Sequence, residues 1–308
     1  MTITEATVKY NKALLKGRKA HLAYQKVSEK QLWRIYKKAA GKIGSKIMAA
    51  DAPLAPAALR TFLDSITSEM KRLDNKILST IQTASNKSIK MSLKNTIDRL
   101  QVYKEFLPAT FAIKLTSSVF NSVHHAAVRA LIRRPLDGIE LSERVWNIHQ
   151  TSITQIRKHI AKGYLYGEPS HKIAQEVRRF LIISDSDMRT KKWRAFFKEH
   201  PPGRGVYRSA YKNTERVIRT ETNNAFRLAQ SEYAASRTWI IGVKWHRVAG
   251  AKECAECDGY ASGGINGDGV YPGGEIPSSH PQCLCFLTDV FKQDVLKKGT
   301  TSSILKST

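Results

Sequence analysis

The chain has 308 residues, of which 51 are Lys or Arg and 26 are Asp or Glu, so its formal net charge at pH 7 is +25. Apolar residues make up 42% of the sequence, which is too many for a protein that is disordered throughout. There is no run of about 18 apolar residues, so we expect no membrane span, and the first residues predict no secretory signal. The charge favours a polyanionic partner, with nucleic acid ahead of an acidic protein surface or an anionic membrane.

The positive charge is concentrated in two regions. Residues 1–50 contain 12 basic and 2 acidic side chains, and residues 151–250 contain 20 and 8, whereas the last 58 residues contain 5 and 7. The N-terminal cations repel one another unless a polyanion lies nearby, and no base-recognition motif accompanies them. We therefore predict sequence-independent contacts with the phosphates of double-stranded DNA, made in this region by Lys12, Lys16, Arg18, Lys19, Lys37 and Lys38.

A second basic segment interleaves cations with aromatic residues, and its candidate DNA-binding residues are Lys191, Lys192, Trp193 and Arg194. Such a segment can neutralise phosphates while an aromatic ring packs on a sugar or a base. An amphipathic helix that buries the same rings in a core or an interface explains the pattern equally well. Both interpretations stay open.

The apolar spacing predicts a mainly α-helical protein. We expect an N-terminal helical bundle, then further helices, a short strand region and a Cys/His loop, which together form a small α+β part. Steps of three or four residues between apolar positions run from Val27 to about Leu131 and predict three to five helices. Further helices are predicted over residues 140–164, 170–181 and 209–237, with Ser170 as an N-cap, and a strand over residues 239–248.

Pro and Gly residues before residue 139 predict a domain boundary there. We expect residues 1–138 to form a basic, mostly helical region and residues 139–290 to form a second domain. Residues 182–205 are predicted to be a loop or an insertion in that domain, and residues 291–308 a polar tail.

All four cysteines lie within 32 residues, and a histidine lies among them. A Cys-x-x-Cys turn can place two thiolates on one ion, and a second pair of ligands completes a tetrahedron. Five side chains are therefore candidates for four positions on one structural zinc ion per chain: Cys254, Cys257, His280, Cys283 and Cys285. A histidine left out of the ligand set can still orient the site.

Two alternatives to zinc are a pair of disulfides and reduced thiols without a metal. Disulfides are less favoured in a reducing cytoplasm, because no export signal is predicted. A structural ion is favoured over a catalytic one, since a cysteine-rich set leaves no obvious open position for water.

The cysteine pattern resembles the C-terminal signature of bacteriophage minor head, or head-morphogenesis, proteins of the Mu F type. The matching residues are Trp245, Cys254-x-x-Cys257-Asp258-Gly259 and Pro277-Ser-Ser-His280-Pro281-x-Cys283-x-Cys285. The helix around residues 217–225 resembles the Arg-Thr-Glu helix of that family, and residues 163–177 resemble its glycine-linked helix pair. The resemblance covers about residues 145–287. It departs from the family at Leu284, where an Arg is usual, and at the stretch 182–205.

The triplet Arg219, Thr220 and Glu221 in that helix is a structural candidate. Positions 219 and 221 do not face each other on a helix, and no second carboxylate has a reason to lie near Glu221. We expect a salt bridge to another element or a contact with the zinc loop.

The resemblance implies a non-enzymatic, low-copy component of the phage procapsid that acts in head assembly at or near the portal. Its expected partners are the portal protein, other head proteins and packaged DNA, and no membrane. Its expected location is the head interior of the virion, and the host cytoplasm during assembly. A zinc-dependent nuclease or other DNA-processing enzyme is the alternative, although the loop offers neither a clear general base nor an open metal position.

Overall fold

The computed structural model describes residues 2–50, 54–106, 117–133, 141–182, 209–248 and 254–292. The helices in these ranges are α1 (Ile3–Ala49), α2 (Pro56–Leu100), α3 (Ser117–Arg133), α4 (Leu141–Leu165), α5 (Ser170–Leu181), α6 (Ala210–Ala235) and α7 (Ala255–Ala261). The strands are β1 (Ile240–His246), β2 (Val270–Pro272) and β3 (Phe286–Phe291). The prediction of a mainly helical protein with a small C-terminal sheet and a Cys/His cluster is confirmed. None of the helices in the described ranges is long and apolar enough to cross a membrane.

The first two helices are unusually long, at 47 and 45 residues. Apolar residues at helical spacing before and after residue 85 belong to one helix, α2, which continues into a 3-10 turn at Gln101–Tyr103. This helix begins at Pro56, where the missing N–H of proline leaves no helical hydrogen bond unmade.

The turn between α4 and α5 is set by Gly167, whose φ is +66°. Its N–H donates to Tyr164 O (3.3 Å) and the next N–H, of Glu168, donates to Gly163 O (2.8 Å). This is the Schellman pattern of a helix end, which requires a left-handed residue and so favours glycine. Helix α5 has the predicted bounds, but Ser170 is its first helical residue, and the N-cap position belongs to Pro169. The prediction of Ser170 as the N-cap is therefore wrong.

The sheet has the strand order β2-β1-β3, with both pairs antiparallel. The predicted strand is confirmed as β1, which lies in the middle. Close approach to β2 requires Gly242, since a Cβ there would lie 2.0 Å from the carbonyl oxygen of Tyr271. Val243 and Trp245 of β1 are buried in the core against which the helices pack.

The chain forms two compact units, and each takes segments from both halves of the sequence. Unit 1 comprises Met1–Gln25, Thr83–Leu136 and Arg219–Thr308, and unit 2 comprises Lys26–Gln82 and Asp137–Ile218. The units therefore interleave along the chain. The predicted boundary at 138, most of the stretch 182–205 and most of the tail 291–308 lie outside the described residues.

A buried ion pair joins α2 to β3 inside unit 1. The Nε and Nη2 atoms of Arg99 donate to Oδ2 and Oδ1 of Asp289 at 2.8 and 3.0 Å, and both side chains are fully buried. The hydroxyl of Tyr10 on α1 donates to the same carboxylate (2.9 Å). Burial, and then the charge of Asp289, raises the pKa of Tyr10, so this hydroxyl stays protonated.

Unit 2 has a buried polar cluster of its own. The hydroxyl of Tyr36 lies 2.6 Å from His149 Nε2 and 2.6 Å from Thr214 Oγ1, and the other ring nitrogen of His149 contacts Asp74. Tyr36, His149 and Thr214 are fully buried. The hydroxyl of Tyr36 thus has two partners that offset the cost of leaving water.

We expect Asp289→Asn to lower the free energy of unfolding by about 3–5 kcal/mol, because it leaves the guanidinium of Arg99 buried without an opposite charge. The matched control is Asp98→Asn, since Asp98 forms an exposed pair with Lys94 and such pairs contribute less than about 1 kcal/mol. Urea unfolding of both variants measures the difference. Equal losses would contradict the assignment of Arg99–Asp289 as an anchor of unit 1.

Candidate metal centre

Two local structures place the five candidate ligands. Cys254 lies directly before α7 and Cys257 lies one turn into it. His280 and Cys283 are the first and fourth residues of a tight turn, in which Cys283 N–H donates to His280 O (3.3 Å) and Gln282 has a φ of 62°. With Pro281 second and a positive φ third, these are the features of a type II turn. Cys285 then leads into β3.

The two local structures converge on Cys257. Its thiol, with Cys254 and His280, forms one group of donor atoms within 4.8 Å of one another, and with Cys283 and Cys285 it forms a second such group. The Sγ of Cys257 lies 2.9 Å from His280 Nε2 and 3.7 Å from Cys283 Sγ. Two thiolates on one tetrahedral zinc ion, each at about 2.3 Å, have their sulfurs about 3.8 Å apart. The cluster can therefore hold a metal ion.

The thiols differ in exposure. Cys257 and Cys283 are buried, whereas Cys254, His280 and Cys285 are partly exposed. All four cysteines are free, so the structure does not show the disulfide alternative.

The Nδ1 atom of His280 lies 2.9 Å from Pro281 O, and a proton on Nδ1 leaves Nε2 as the nitrogen that can bind a metal.

A polar face of α6 holds the second half of the cluster. The Nη1 atom of Arg227 donates to Cys283 Sγ (3.2 Å) and to Cys285 O (3.4 Å). Asn223 Nδ2 donates to Cys283 O (2.5 Å), and Thr220 Oγ1 accepts from the N–H of Gln282 (3.0 Å). Helix α6 therefore contacts Gln282, Cys283 and Cys285 of the loop that carries the candidate ligands.

The second terminal nitrogen of Arg227, Nη2, and the plane of its guanidinium also make contacts. Its Nη2 donates to Ser279 Oγ (2.5 Å) and Asn224 Oδ1 (2.7 Å), and its guanidinium lies 5.0 Å from the ring of Trp245. Arg227 is 4% exposed. A buried guanidinium is stabilised when an anion, hydrogen-bond acceptors and an aromatic face all meet it.

This environment separates the pKa values of the thiols. A hydrogen bond from Cys285, and then the charge of Arg227, lowers the pKa of Cys283 to about 4, which favours its thiolate form. Burial raises the pKa of Cys257 to about 12. A bound cation would favour the ionised form of every ligand thiol. Within the cluster, Arg227 therefore favours an ionised thiol at Cys283.

Helix α7 is held to the sheet by Tyr260. Its hydroxyl donates to Ser278 O (2.8 Å), its carbonyl accepts from the hydroxyl of Tyr271 (2.9 Å), and its ring meets that of Trp245 edge-on at 5.2 Å. The half of the cluster that carries Cys257 is therefore anchored independently of α6.

The remaining predicted residues lie elsewhere. Of the helix triplet, Thr220 contacts the ligand loop, the carbonyl of Arg219 accepts from Gln25 Nε2 (3.3 Å), and Glu221 is buried. Lys12, Lys16, Lys19, Lys37 and Lys38 are exposed on α1. The segment with Lys191, Lys192, Trp193 and Arg194 lies outside the described residues.

Arg18 differs from the other N-terminal candidates, because it turns towards the C-terminal segment. Its Nη2 donates to Leu284 O (2.8 Å), and its guanidinium lies 4.5 Å from the ring of Phe286.

Asn223, Asn224 and Arg227 were not among the predicted site residues. With Thr220 they recur at helical spacing along α6, and such a polar stripe beside an apolar one is a signal of buried hydrogen bonding. These side chains contact a backbone turn about 60 residues later, and the sequence pattern around them does not indicate that contact.

The chain matches none of the protein-family models, curated proteins or solved structures with which it was compared.

We expect Arg227→Gln to weaken metal binding 10–100-fold, because partners that orient ligands from outside the coordination sphere have effects of this size. Competition with a chromophoric chelator measures the affinity, and circular dichroism checks that the variant is folded. The control is Arg178→Gln on the exposed face of α5, which should bind metal as the parent protein does. Equal affinity in all three proteins would show that Arg227 does not support the site.

Proposed function

We propose that the protein is a structural, non-enzymatic component of a phage head, in which one zinc ion locks the C-terminal Cys/His cluster while basic helices contact packaged DNA. The observation that carries the proposal is the convergence of four other donors on Cys257, in two groups of three that share its thiol. A function in head assembly needs a rigid, correctly shaped domain and no reaction centre.

The donor set favours zinc. Thiolates with an imidazole suit Zn²⁺ and disfavour Mg²⁺ and Ca²⁺, which prefer oxygen ligands. The donors form two groups of three that share Cys257, so a tetrahedral ion that takes its fourth ligand from the other group has no vacancy for water. This argues for a structural ion and against the nuclease alternative, which needs an open position.

A structural role also fits the loop that the ion would close. The stretch from Asp258 to Ser279 contains seven glycines and has little apolar surface with which to fold. A single ion bound by Cys254, Cys257 and residues of the turn from His280 to Cys283 would join α7, this loop and the start of β3. Structural zinc contributes about 10–16 kcal/mol of apparent binding free energy in small domains, which is enough to order such a segment.

The phage-head context rests on the motif resemblance. Two of its motifs meet in unit 1, because Thr220 of the Arg-Thr-Glu helix contacts the turn of the Cys/His signature, and Arg227 of the same helix lies over Trp245. Because these two motifs contact each other, we interpret them together as the signature of one domain. Lysines exposed on α1 supply the charge for a sequence-independent DNA contact.

The proposal predicts that this chain is found in assembled phage heads at low copy number and next to the portal. Cross-linking followed by mass spectrometry, together with cryo-imaging of particles, locates it, and Cys257→Ser should reduce its incorporation because the domain loses its metal. Glu275→Gln, an exposed change in the same loop, is the control. Absence from particles, or metal-dependent DNA cleavage by the purified protein, would contradict the proposal.

A further inference from the structure

Within unit 1, the start of α1 lies antiparallel against the end of α2. At one end of this pair the hydroxyl of Tyr103 donates to Thr7 Oγ1 (3.4 Å), and at the other end His21 Nε2 lies 3.3 Å from Ser88 Oγ. Contacts at both ends mean that the two helices run side by side over several turns. Together they form one surface of unit 1.

The arginines of this helix pair face inward. Arg18 of α1 donates to Leu284 O and lies over Phe286, and Arg99 of α2 forms the buried pair with Asp289. On both helices the arginine therefore marks the side that contacts the C-terminal segment.

The lysines face away from that side. A helix turns about 100° per residue, which places the α1 lysines about 100–180° from Arg18 and the α2 lysines about 120–180° from Arg99. These lysines are all exposed. The α1 set is Lys9, Lys12, Lys16 and Lys19, and the α2 set is Lys87, Lys90 and Lys94. Because the helices lie side by side, both sets occupy the outer surface of the pair. We call these seven residues the lysine face.

Negative charge on the same helical stretches is small. Between residues 3 and 25 the acidic residue is Glu5, whose carboxylate accepts from the N–H of Thr2 (2.8 Å) at the helix start, and between residues 83 and 100 it is Asp98, which pairs with Lys94 (3.2 Å). Seven cations against two carboxylates give the face a net charge of about +5 at pH 7. Such a surface attracts a polyanion.

The size of the face suits a DNA duplex. From Lys9 to Lys19 the helix rises about 15 Å, and neighbouring helix axes lie about 8–10 Å apart. A duplex carries one negative charge per about 1.7 Å of its axis, so 15 Å of duplex presents about nine phosphate charges. The lysines can thus meet phosphates along a short stretch of both strands.

An anionic membrane suits the face less well. A helix that binds a membrane surface inserts a broad apolar side into the lipid, but Tyr10 and Leu14 of α1 are buried in the protein core. The exposed apolar residues of this stretch, Val8 and Leu15, are few and lie at the flank of the lysine stripe.

We propose that the lysine face is the surface of unit 1 that binds the phosphate backbone of duplex DNA, without reading its sequence. This inference rests on the proposed function in so far as it takes DNA as the partner. It adds Lys87, Lys90 and Lys94 to the contact and removes Arg18 from it.

The test is the salt dependence of DNA binding by the full chain. Each phosphate contact contributes about −0.9 to the slope of log K against log salt concentration. Lys9→Gln, Lys12→Gln, Lys16→Gln and Lys19→Gln combined should therefore make the slope less steep by up to about 3.6, and Lys87→Gln with Lys90→Gln by up to about 1.8. Fluorescence anisotropy with two labelled duplexes of unrelated sequence gives the slopes. Both duplexes should behave alike.

The matched control carries the same change in charge elsewhere on α1. It combines Lys26→Gln, Lys30→Gln, Arg34→Gln and Lys42→Gln, all exposed residues of unit 2. A larger loss of slope in the face variant than in the control supports the lysine face. An equal loss in both variants, or a larger loss in the control, overturns it while leaving DNA binding itself intact.

Two other outcomes separate this inference from the function on which it rests. If the unmodified protein does not bind DNA at low salt, the proposed DNA contact itself fails. If the face variant loses binding to vesicles of phosphatidylserine and phosphatidylcholine but keeps its affinity for DNA, the face binds membranes and the inference is wrong.

Discussion

Inside unit 1, the guanidinium of Arg227 lies between side chains from separate parts of the sequence. It donates to the thiol of Cys283 and the hydroxyl of Ser279, and it covers the ring of Trp245 on the central strand. A buried cation is costly unless each of its donors finds an acceptor. The loop around Cys283 has little apolar surface of its own, so these polar contacts decide its position. The convergence of the candidate metal ligands depends on them.

A second buried arginine fixes the strand to which this loop leads. Arg99 binds Asp289 with two hydrogen bonds, and Tyr10 binds the same carboxylate. Both ends of the segment between Ser279 and Asp289 are thus tied to helices, one end to α6 and the other to α2. With these ends fixed, the turn at Pro281 brings His280 and Cys283 to Cys257. The protein uses arginine for both attachments because its planar fork can satisfy several acceptors at once.

The sequence predicts those features that depend on local patterns. Helical spacing predicts α5 and α6 closely, alternation predicts β1, and cysteine spacing predicts all five candidate ligands. It does not predict β2, β3 or α7, because these elements are short, and β2 and α7 also lie among glycines that carry no periodicity. The sequence also does not distinguish Arg18 from its neighbouring lysines. A run of cations shows its charge in sequence, but which side of the helix is buried depends on distant residues such as Phe286.

We propose that one zinc ion holds the Cys/His cluster closed through protein ligands alone. The most direct test combines elemental analysis of the purified full chain with X-ray absorption at the zinc edge. We predict about one zinc ion per chain with four ligands, sulfur at about 2.3 Å and any nitrogen at about 2.0–2.1 Å, and loss of the ion in Cys257→Ser. A fully folded protein without metal, or a zinc ion with oxygen ligands, would contradict the claim.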